Sequence, residues 1–262
     1  MTFNIATWNV NSVKSRLAHL LDWLRADKPD IVLLQELKCV DEAFPAMEIE
    51  DLGYNLALHG QKTYNGVAIL SKFPLSDITR GLPGNEGDEQ ARYIEAVVSL
   101  PKSAFRVASV YVPNGQTTDS EKFPYKLRFL EHLHAHLKTL LTFDEAFVIG
   151  GDYNIAPTDA DVHDPKAWEG SVLTHDDVRK AFRRMINLGI YDAAALKPSH
   201  TSPYTWWDYR NNAFARDDGL RIDHLLLSPQ AADCLEKYEV NKSLRALEKA
   251  SDHTPVIGHF SG

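Results

Sequence analysis

Six short stretches place carboxylates, carboxamides and an imidazole where apolar runs stop or start. "TWNVNS" ends on Asn9 and Asn11, "LLQELK" carries Glu36, "SVYVPNG" carries Tyr111 and Asn114, and "VIGGDYN" carries Asp152 and Asn154. "GLRIDHLLLS" opens with Asp223 beside its apolar run, and "ASDHTPVIG" opens with Asp252 and His253. Each stretch alone reads as punctuation, because Gly, Asp, Asn and Pro are what turns and caps prefer. Their repetition suggests more, since catalytic groups often sit on loops at the ends of scaffold strands. If the ends converge, they form a pocket of carboxylates, one histidine and several amides, without a thiol. Such oxygen-rich sites suit hard divalent cations such as Mg2+ or Mn2+.

The elements that must position these groups alternate in type. Strand-length apolar runs occur at "FNIATWN" (Phe3 to Asn9), "DIVLLQE" (Asp30 to Glu36), "YNLALH", "GVAILS", "IEAVVSL", "FRVASVYV", "EAFVIGGD", "IDHLLLS" and "TPVIGHF". Helical spacing appears in "SRLAHLLDWLRAD" (Ser15 to Asp27), with a serine cap, and in "YKLRFLEHLHAHLKTLL" (Tyr125 to Leu141). A third helix, "HDDVRKAFRRMINLG" (His175 to Gly189), has a glycine at its end. Most strands are separated by turns rather than helices, which predicts antiparallel neighbours. The stretch from Thr158 to Thr174 lacks periodicity but holds Trp168, Val172 and Leu173, which predicts a packed loop. One domain over residues 1–262, with two sheets covered by helices, accommodates this order.

Composition bounds the reading. With 262 residues, 44% hydrophobic and 24% charged, the chain has the make-up of a soluble globular protein with a substantial core. Its start shows no basic region followed by an apolar run, and no stretch has the apolar length of a membrane span. Cys39 and Cys234 form no metal-binding pattern, so free thiols in a reducing, cytoplasmic setting are expected. The net charge of -8 weighs against a nucleic-acid partner. Carboxylates gathered at one metal site would, however, leave room for a basic rim elsewhere.

The motifs resemble the exonuclease III family of AP endonucleases, within the endonuclease/exonuclease/phosphatase superfamily. The resemblance runs from "WNVNS" through "DIVLLQELK", "NGVAILSK", "VYVPNG", "GDYNIAP", "WWDYR" and "GLRIDHLLLS" to "SDHTPV", essentially the whole chain. "YVPNG" with "WWDYR" and "LRID" points to the DNA-repair branch. The resemblance implies a four-layer α/β sandwich, two mixed and mostly antiparallel sheets flanked by helices. It implies metal-dependent cleavage of the DNA backbone 5′ to abasic sites, with 3′-5′ exonuclease and 3′-phosphatase activity, in base excision repair.

Residue by residue, the resemblance makes Glu36 the principal metal ligand, with Asn9 and Asp252 close to the ion and Asp152, Asn154 and His253 in the same shell. One ion or two fit this set. Asp152 would orient or deprotonate the attacking water, and Asn154 would donate to the phosphate. His253 would contact the scissile phosphate while Asp223 holds its ring. Tyr111 and Asn114 would donate to phosphate oxygens or help the leaving group. The glycine pair before Asp152 would let Asp152 and Asn154 approach a phosphate closely. Trp206, Leu220 and Ile222 match positions of an apolar pocket for a baseless sugar, whose missing base lowers the cost of extrusion. Asn11, Lys38, Tyr64, Arg92 and Arg210 are candidates for substrate or backbone contacts, which position DNA without reading sequence. The expected partner is double-stranded DNA with abasic sites or blocked 3′ ends, bound by a monomer, with no membrane involved. In a bacterium the protein would associate with the nucleoid.

Other features have plainer readings. Trp207 reads as a core aromatic. His132, His134 and His136 share a leucine-faced helix and lack an HExxH pattern, so they read as solvated or partly packed. Two further functions compete: a phosphoesterase of the same fold acting on a small phosphate ester, and a silent DNA-binding module. The "WWDYR" motif argues against the first. The second would be expected to lose one of Glu36, Asp152, Asn154, Asp223 or His253, and all are present.

Overall fold

In a computed structural model, residues 2–198 and 203–262 are described. The strands among them are β1 Thr2–Asn9, β2 Ile31–Gln35, β3 Asn55–His59, β4 Val67–Ser71, β5 Leu75–Arg80, β6 Tyr93–Ser99, β7 Ala104–Tyr111, β8 Phe147–Asp152, β9 Tyr191–Asp192, β10 Asp223–Leu227, β11 Leu235–Val240 and β12 Val256–Ser261. The α-helices are α1 Leu17–Ala26, α2 Ala46–Glu50, α3 Lys122–Leu141, α4 Asp176–Ile186, α5 Ala193–Leu196, α6 Ala213–Arg216 and α7 Pro229–Cys234.

The strands make two six-stranded sheets, ordered β11-β12-β1-β2-β4-β3 and β5-β6-β7-β8-β10-β9. Parallel pairing occurs at β1–β2 and β7–β8. Those are the connections that α1 and α3 cross, as parallel neighbours require. The other pairs are antiparallel, as expected for turn-linked strands.

Three apolar clusters show why the layers stack. Phe3 and Ile5 of β1 enter a cluster shared with Val107, Val148 and Leu225 of the other sheet. The alternate residues Ala6 and Trp8 enter a second cluster with Leu20, Trp23 and Leu24 of α1. The third cluster packs Ala108, Val110 and Ile149 against Leu130, Leu133 and Leu137 of α3 and Phe182 of α4. Period-two alternation thus feeds each sheet's two faces, one inward and one toward helices. The result is the four-layer sandwich. The 158–174 loop is packed as expected, with Val172 and Leu173 in the third cluster.

Local boundaries differ in three places. Ser15 does not cap α1; Arg16 precedes the helix, with no side-chain cap, and its guanidinium is engaged by Asn11 O and Ala250 O. Helix α3 starts at Lys122, because Pro124 falls in the first turn, where a missing N–H is tolerated. Helix α4 ends at Ile186, and Gly189 follows with φ +95, its N–H bonding Ile186 O. His175 supplies its cap through Nδ1, 3.2 Å from Asp177 N.

Candidate active site

Strand direction brings the polar groups to one edge of the sandwich. Parallel β1, β2, β7 and β8 deliver Asn9, Glu36, Tyr111 and Asp152 from their C-terminal ends. Antiparallel β10 and β12 deliver Asp223 and the Asp252–His253 loop from their N-terminal ends. The register fixes the convergence: Tyr111 pairs with Asp152, and Asp152 with Asp223. All six stretches singled out in the sequence therefore meet.

The site has two connected halves. In one, Asn9 Nδ2 donates to Glu36 Oε1 and to Asp152 Oδ2, each at 2.9 Å. The Tyr111 hydroxyl donates to Glu36 Oε1 at 2.9 Å, and Lys38 Nζ lies 2.8 Å from Glu36 Oε2. Asn11 Nδ2 donates to Asp252 Oδ1 at 2.9 Å, and Trp206 Nε1 donates to Asp252 Oδ2 at 3.0 Å. In the other half, His253 Nδ1 is 2.9 Å from Asp223 Oδ2, and His253 Nε2 is 3.7 Å from Asp152 Oδ2. Asn114 Nδ2 donates to Asn154 Oδ1 at 3.0 Å. An amide nitrogen carries two N–H groups, so Asn114 keeps one donor beyond this bond.

Turn chemistry and site chemistry coincide. Asn154 N donates to Asp152 Oδ1 at 2.8 Å, and Asn154 adopts φ +49. Asn11, Glu36 and Lys38 are also left-handed, at φ +45, +54 and +55. Such backbone clusters at functional sites, where the surroundings over-determine a sparsely populated conformation. The glycine pair has a packing role in the structure. A Cβ on Gly151 would stand 1.9 Å from Val110 O, and one on Gly150 would stand 2.7 Å from Leu33 Cδ1. The glycines allow β8 to pack against β7 and the facing sheet.

The electrostatics follow from burial and partners. Asp152 is 1% exposed, and burial pushes its carboxyl up to about 7, with Asp223 and Glu36 adding repulsion against the pull of His253 and Asn9. Burial also works against a charged His253 ring, but Asp223 and Asp152 outweigh it and raise the ring to about 10. The ring is therefore a cation at neutral pH, with Nδ1–H donated to Asp223. Burial opposes the charge on Glu36, yet Lys38 and Asn9 hold its carboxyl below the ordinary range. Asp252 is likewise held low against burial, by His253, Trp206 and Asn11. Burial, with Glu36 and Asp152, raises Tyr111 well above its usual range, so its hydroxyl stays a donor.

The donor set fits a hard divalent cation. Four carboxylates, Glu36, Asp152, Asp223 and Asp252, face two cations, Lys38 and His253, which leaves uncompensated negative charge. Asp152, Asp223 and His253 offer atoms within 4.8 Å of one another. The His253–Asp223 hydrogen bond engages two of that trio, and the Glu36 and Asp252 oxygens accept hydrogen bonds of their own, so Glu36 and Asp252, with the Asn9 and Asn11 amides beside them, form a second candidate seat.

The expected substrate residues divide. Trp206 is partly exposed and meets Trp168 edge-on, with ring centroids 5.9 Å apart. Both line a cleft of about 450 Å³ with Asn114, Leu173 and Arg210. Leu220 and Ile222 do not reach it; they are 0% and 2% exposed and lie in the core beneath, with Leu220 bridged to Trp206. On the other side of Asn114, Tyr64, Arg92, Tyr111 and Asn114 border a second cleft of about 480 Å³. Tyr64 is 69% exposed there, and the Arg92 guanidinium lies 4.7 Å from the Tyr111 ring centroid. Lys38 is tied to Glu36 and Asn11.

Trp207 is fully buried, as expected of a core aromatic. His136 packs against Tyr93 and lies 2.8 Å from Glu95. Cys39 and Cys234 are free thiols, and no helix among the described residues is long and apolar enough to cross a membrane.

Three residues that the motifs did not single out support the site. Thr205 Oγ1 donates to Asp223 Oδ2 at 2.6 Å while accepting from the N–H groups of Ile222 and Asp223 at 3.1 Å. Ser251 Oγ donates to Asn9 O at 2.7 Å and accepts from His253 N at 3.2 Å. Lys126 is 0% exposed, and burial pushes its ammonium down to about 7. It lies on the face of α3 that holds Phe123, Leu130 and Leu133, a spacing legible in the sequence.

Comparison with known proteins agrees with this geometry. Residues 6–253 match the model of the endonuclease/exonuclease/phosphatase family. Exodeoxyribonuclease III of Haemophilus influenzae is 34% identical over 262 residues, covering 97% of this chain and 98% of that protein. The 3′-phosphatase NExo from Neisseria, solved with a product DNA hairpin, superposes with TM-score 0.95 at 40% identity, covering 99% of this chain and 100% of that one. An AP endonuclease from Archaeoglobus fulgidus gives TM-score 0.93 at 36% identity, with 99% and 100% covered. With the family model matched over most of the chain, a shared overall fold and relatives covered over their full length, the chain belongs to the exonuclease III family of DNA-repair nucleases, hydrolases within the endonuclease/exonuclease/phosphatase family.

Proposed function

We propose that this protein is a Mg2+-dependent phosphodiesterase, with Mn2+ as an alternative ion, that cuts duplex DNA 5′ to abasic sites and clears blocked 3′ ends. The observation that carries the reading is the His253 ring, held by Asp223 and facing Asp152 at 3.7 Å beside the Glu36–Asn9 cluster.

A phosphodiester is an anion that repels hydroxide, so hydrolysis needs charge neutralisation, a positioned water and a stabilised leaving oxygen. His253 Nε2–H offers a charged donor to a non-bridging phosphate oxygen. Asp152, whose basicity burial has raised, accepts a proton from the attacking water. Asn9 and Asn154 N–H fix the orientation of that carboxylate. The free N–H of Asn114 would donate to the same phosphate, and the Tyr111 hydroxyl, bonded to Glu36 here, would do so once released from that carboxylate. A divalent ion held by Glu36 and Asp252, with Asn9 and Asn11, would neutralise phosphate charge. A baseless sugar would enter the cleft walled by Trp168 and Trp206, with the flanking strand along Tyr64 and Arg92. This reading places the protein in the cytoplasm and as a monomer.

The test is incubation with a duplex carrying one abasic site, with and without EDTA, beside a 3′-phosphate duplex and inositol phosphates. Cleavage at the abasic site that EDTA abolishes is the expected result. Turnover of inositol phosphates in preference to either duplex would favour the small-ester reading, and intact substrates throughout would favour a silent binding module.

A further inference from the structure

Helix α3 puts a lysine where its neighbours are Phe123, Phe129 and Leu130. An ammonium on an apolar face is costly to bury unless its hydrogen bonds are complete. Lys126 completes them without a carboxylate. Its Nζ donates to Asn114 O at 3.1 Å, Asn154 O at 2.6 Å and Val172 O at 2.6 Å. An ammonium has three N–H groups, so all three are used.

The three carbonyls come from three different loops. One carries Asn114, the second carries Asn154 two residues after Asp152, and the third carries Val172 and Leu173 of the cleft wall. The side chains of Asn114 and Asn154 also bond each other at 3.0 Å. Gly115, at φ +95, leaves room for the lysine stem; a Cβ there would sit 3.2 Å from Lys126 Cδ and 3.4 Å from Val172 Cβ. A leucine or methionine would fill this place on the helix more cheaply, but would leave three loop carbonyls without a common partner.

We propose that Lys126 is a positioning residue for phosphodiester cleavage, a buried three-way tie that sets the distance between the Asn114–Asn154 amide pair and the cleft wall. It touches neither substrate nor ion, and acts through the loops it joins. The inference rests on the nuclease reading above.

The test compares Lys126→Met, which keeps the bulk and removes every donor, with Lys126→Gln, which keeps at most two. Abasic and 3′-phosphate duplexes are cleaved under saturating Mg2+, with rates expressed per folded molecule. Misplacing reacting groups by about 1 Å costs on the order of 10²-fold in rate, and that fall in kcat is expected for Lys126→Met, with KM changed by less than about threefold. Lys126→Gln should fall between the parent and the methionine variant. Adding Asn114→Ala to Lys126→Met should cost much less than it costs the parent, because both changes disturb one pair. A kcat per folded molecule equal to the parent's, or strict additivity with Asn114→Ala, would reduce Lys126 to a staple of the fold. If the methionine variant does not fold, Lys126→Gln decides alone: parental kcat overturns the proposal, and a loss of at least about tenfold supports it. A parent that cleaves neither duplex would overturn the nuclease reading and this inference together; a parent that cleaves while its variants match it would overturn this inference only.

Discussion

Adjacent residues of β10 face two clusters of buried charge. Asp223 points to His253 and Asp152, while His224 points to Arg221, Asp161 and Asp192. In the Arg221 cluster the guanidinium contacts are all close. Arg221 reaches Asp161 Oδ1 and Asp192 Oδ2 at 2.7 Å each, and Thr158 donates twice to Asp161 Oδ2. Burial and Arg221 push His224 down, so its neutral ring accepts at Nδ1 from Arg221 and donates at Nε2 to Ile155 O at 2.8 Å. Burial opposes the Asp161 charge, but Arg221 holds that carboxyl below its ordinary range.

The candidate catalytic cluster is equally buried and is arranged differently. Asp152 meets its nearest cation only at 3.7 Å, and its carboxyl is pushed up rather than down. One cluster engages its carboxylates closely with a guanidinium and hydroxyl donors. The other holds Asp152 with neutral donors and keeps its nearest cation at a distance, which suits a site for an ion and a phosphate. Substitutions in the two clusters should therefore fail in opposite ways.

The largest expected effect is on chemistry. Asp152→Asn should bind abasic duplex about as well as the parent and cleave it on the order of 10³-fold or more slowly. Its stability should hold or rise at neutral pH. A carboxyl whose folded pKa is raised binds its proton more tightly in the folded state, so ionising it costs stability as pH climbs through about 7. For the same reason the parent's rate should climb as pH rises through that value. Comparable losses of binding, melting temperature and cleavage would assign Asp152 to the fold and break the contrast.

The mirror experiment is Arg221→Met. It strands Asp161 and Asp192 in the interior, and breaking a buried pair costs about 3–5 kcal/mol. Denaturant titration should show that loss, while kcat per folded molecule stays near the parent's. A variant that is stable but slow would mean the Arg221 cluster positions Asp223 as well.

The sequence disclosed these clusters unequally, for physical reasons. The candidate catalytic groups were legible because each sits where an apolar run meets a turn, and such boundaries mark strand ends. The flanks of the sandwich were less legible. The edge strands β5, "LSDITR", and β11, "LEKYEV", carry mixed exposed patterns because one side faces solvent, so neither shows the apolar run of an interior strand. Arg221 was visible as part of a motif, but its partners come from residues 161 and 192, which only the folded chain brings near. Leu220 and Ile222 were placed by resemblance at a pocket wall, where alternation and burial put them in the core.

Glu36→Ala tests the metal half of the catalytic cluster. The variant removes the carboxylate that Asn9, Tyr111 and Lys38 all hold. A hard cation loses an anionic ligand, so the Mg2+ concentration for half-maximal cleavage should rise by at least about tenfold, with partial recovery in excess Mg2+. Normal activity at micromolar Mg2+ would place the ion elsewhere, with the Asp152–Asp223–His253 trio the next seat to test.

The smallest effect separates two duties of Trp206. Its ring walls the cleft with Trp168, and its Nε1–H holds Asp252 Oδ2 at 3.0 Å. Trp206→Ala removes both, so its losses alone do not report on sugar recognition. Trp206→Phe keeps an apolar wall and deletes the hydrogen bond, while Asn11 still holds Asp252 Oδ1. The alanine variant should lose about 1–3 kcal/mol more on abasic cleavage than on 3′-phosphate removal, the scale of apolar discrimination in a pocket. The phenylalanine variant should lose about 1 kcal/mol, one hydrogen bond, equally on both substrates. The measurement is kcat/KM for the two duplexes on folded, Mg2+-loaded proteins. If both variants fall equally on both substrates, Trp206 acts through Asp252 alone, and the cleft does not select the baseless sugar.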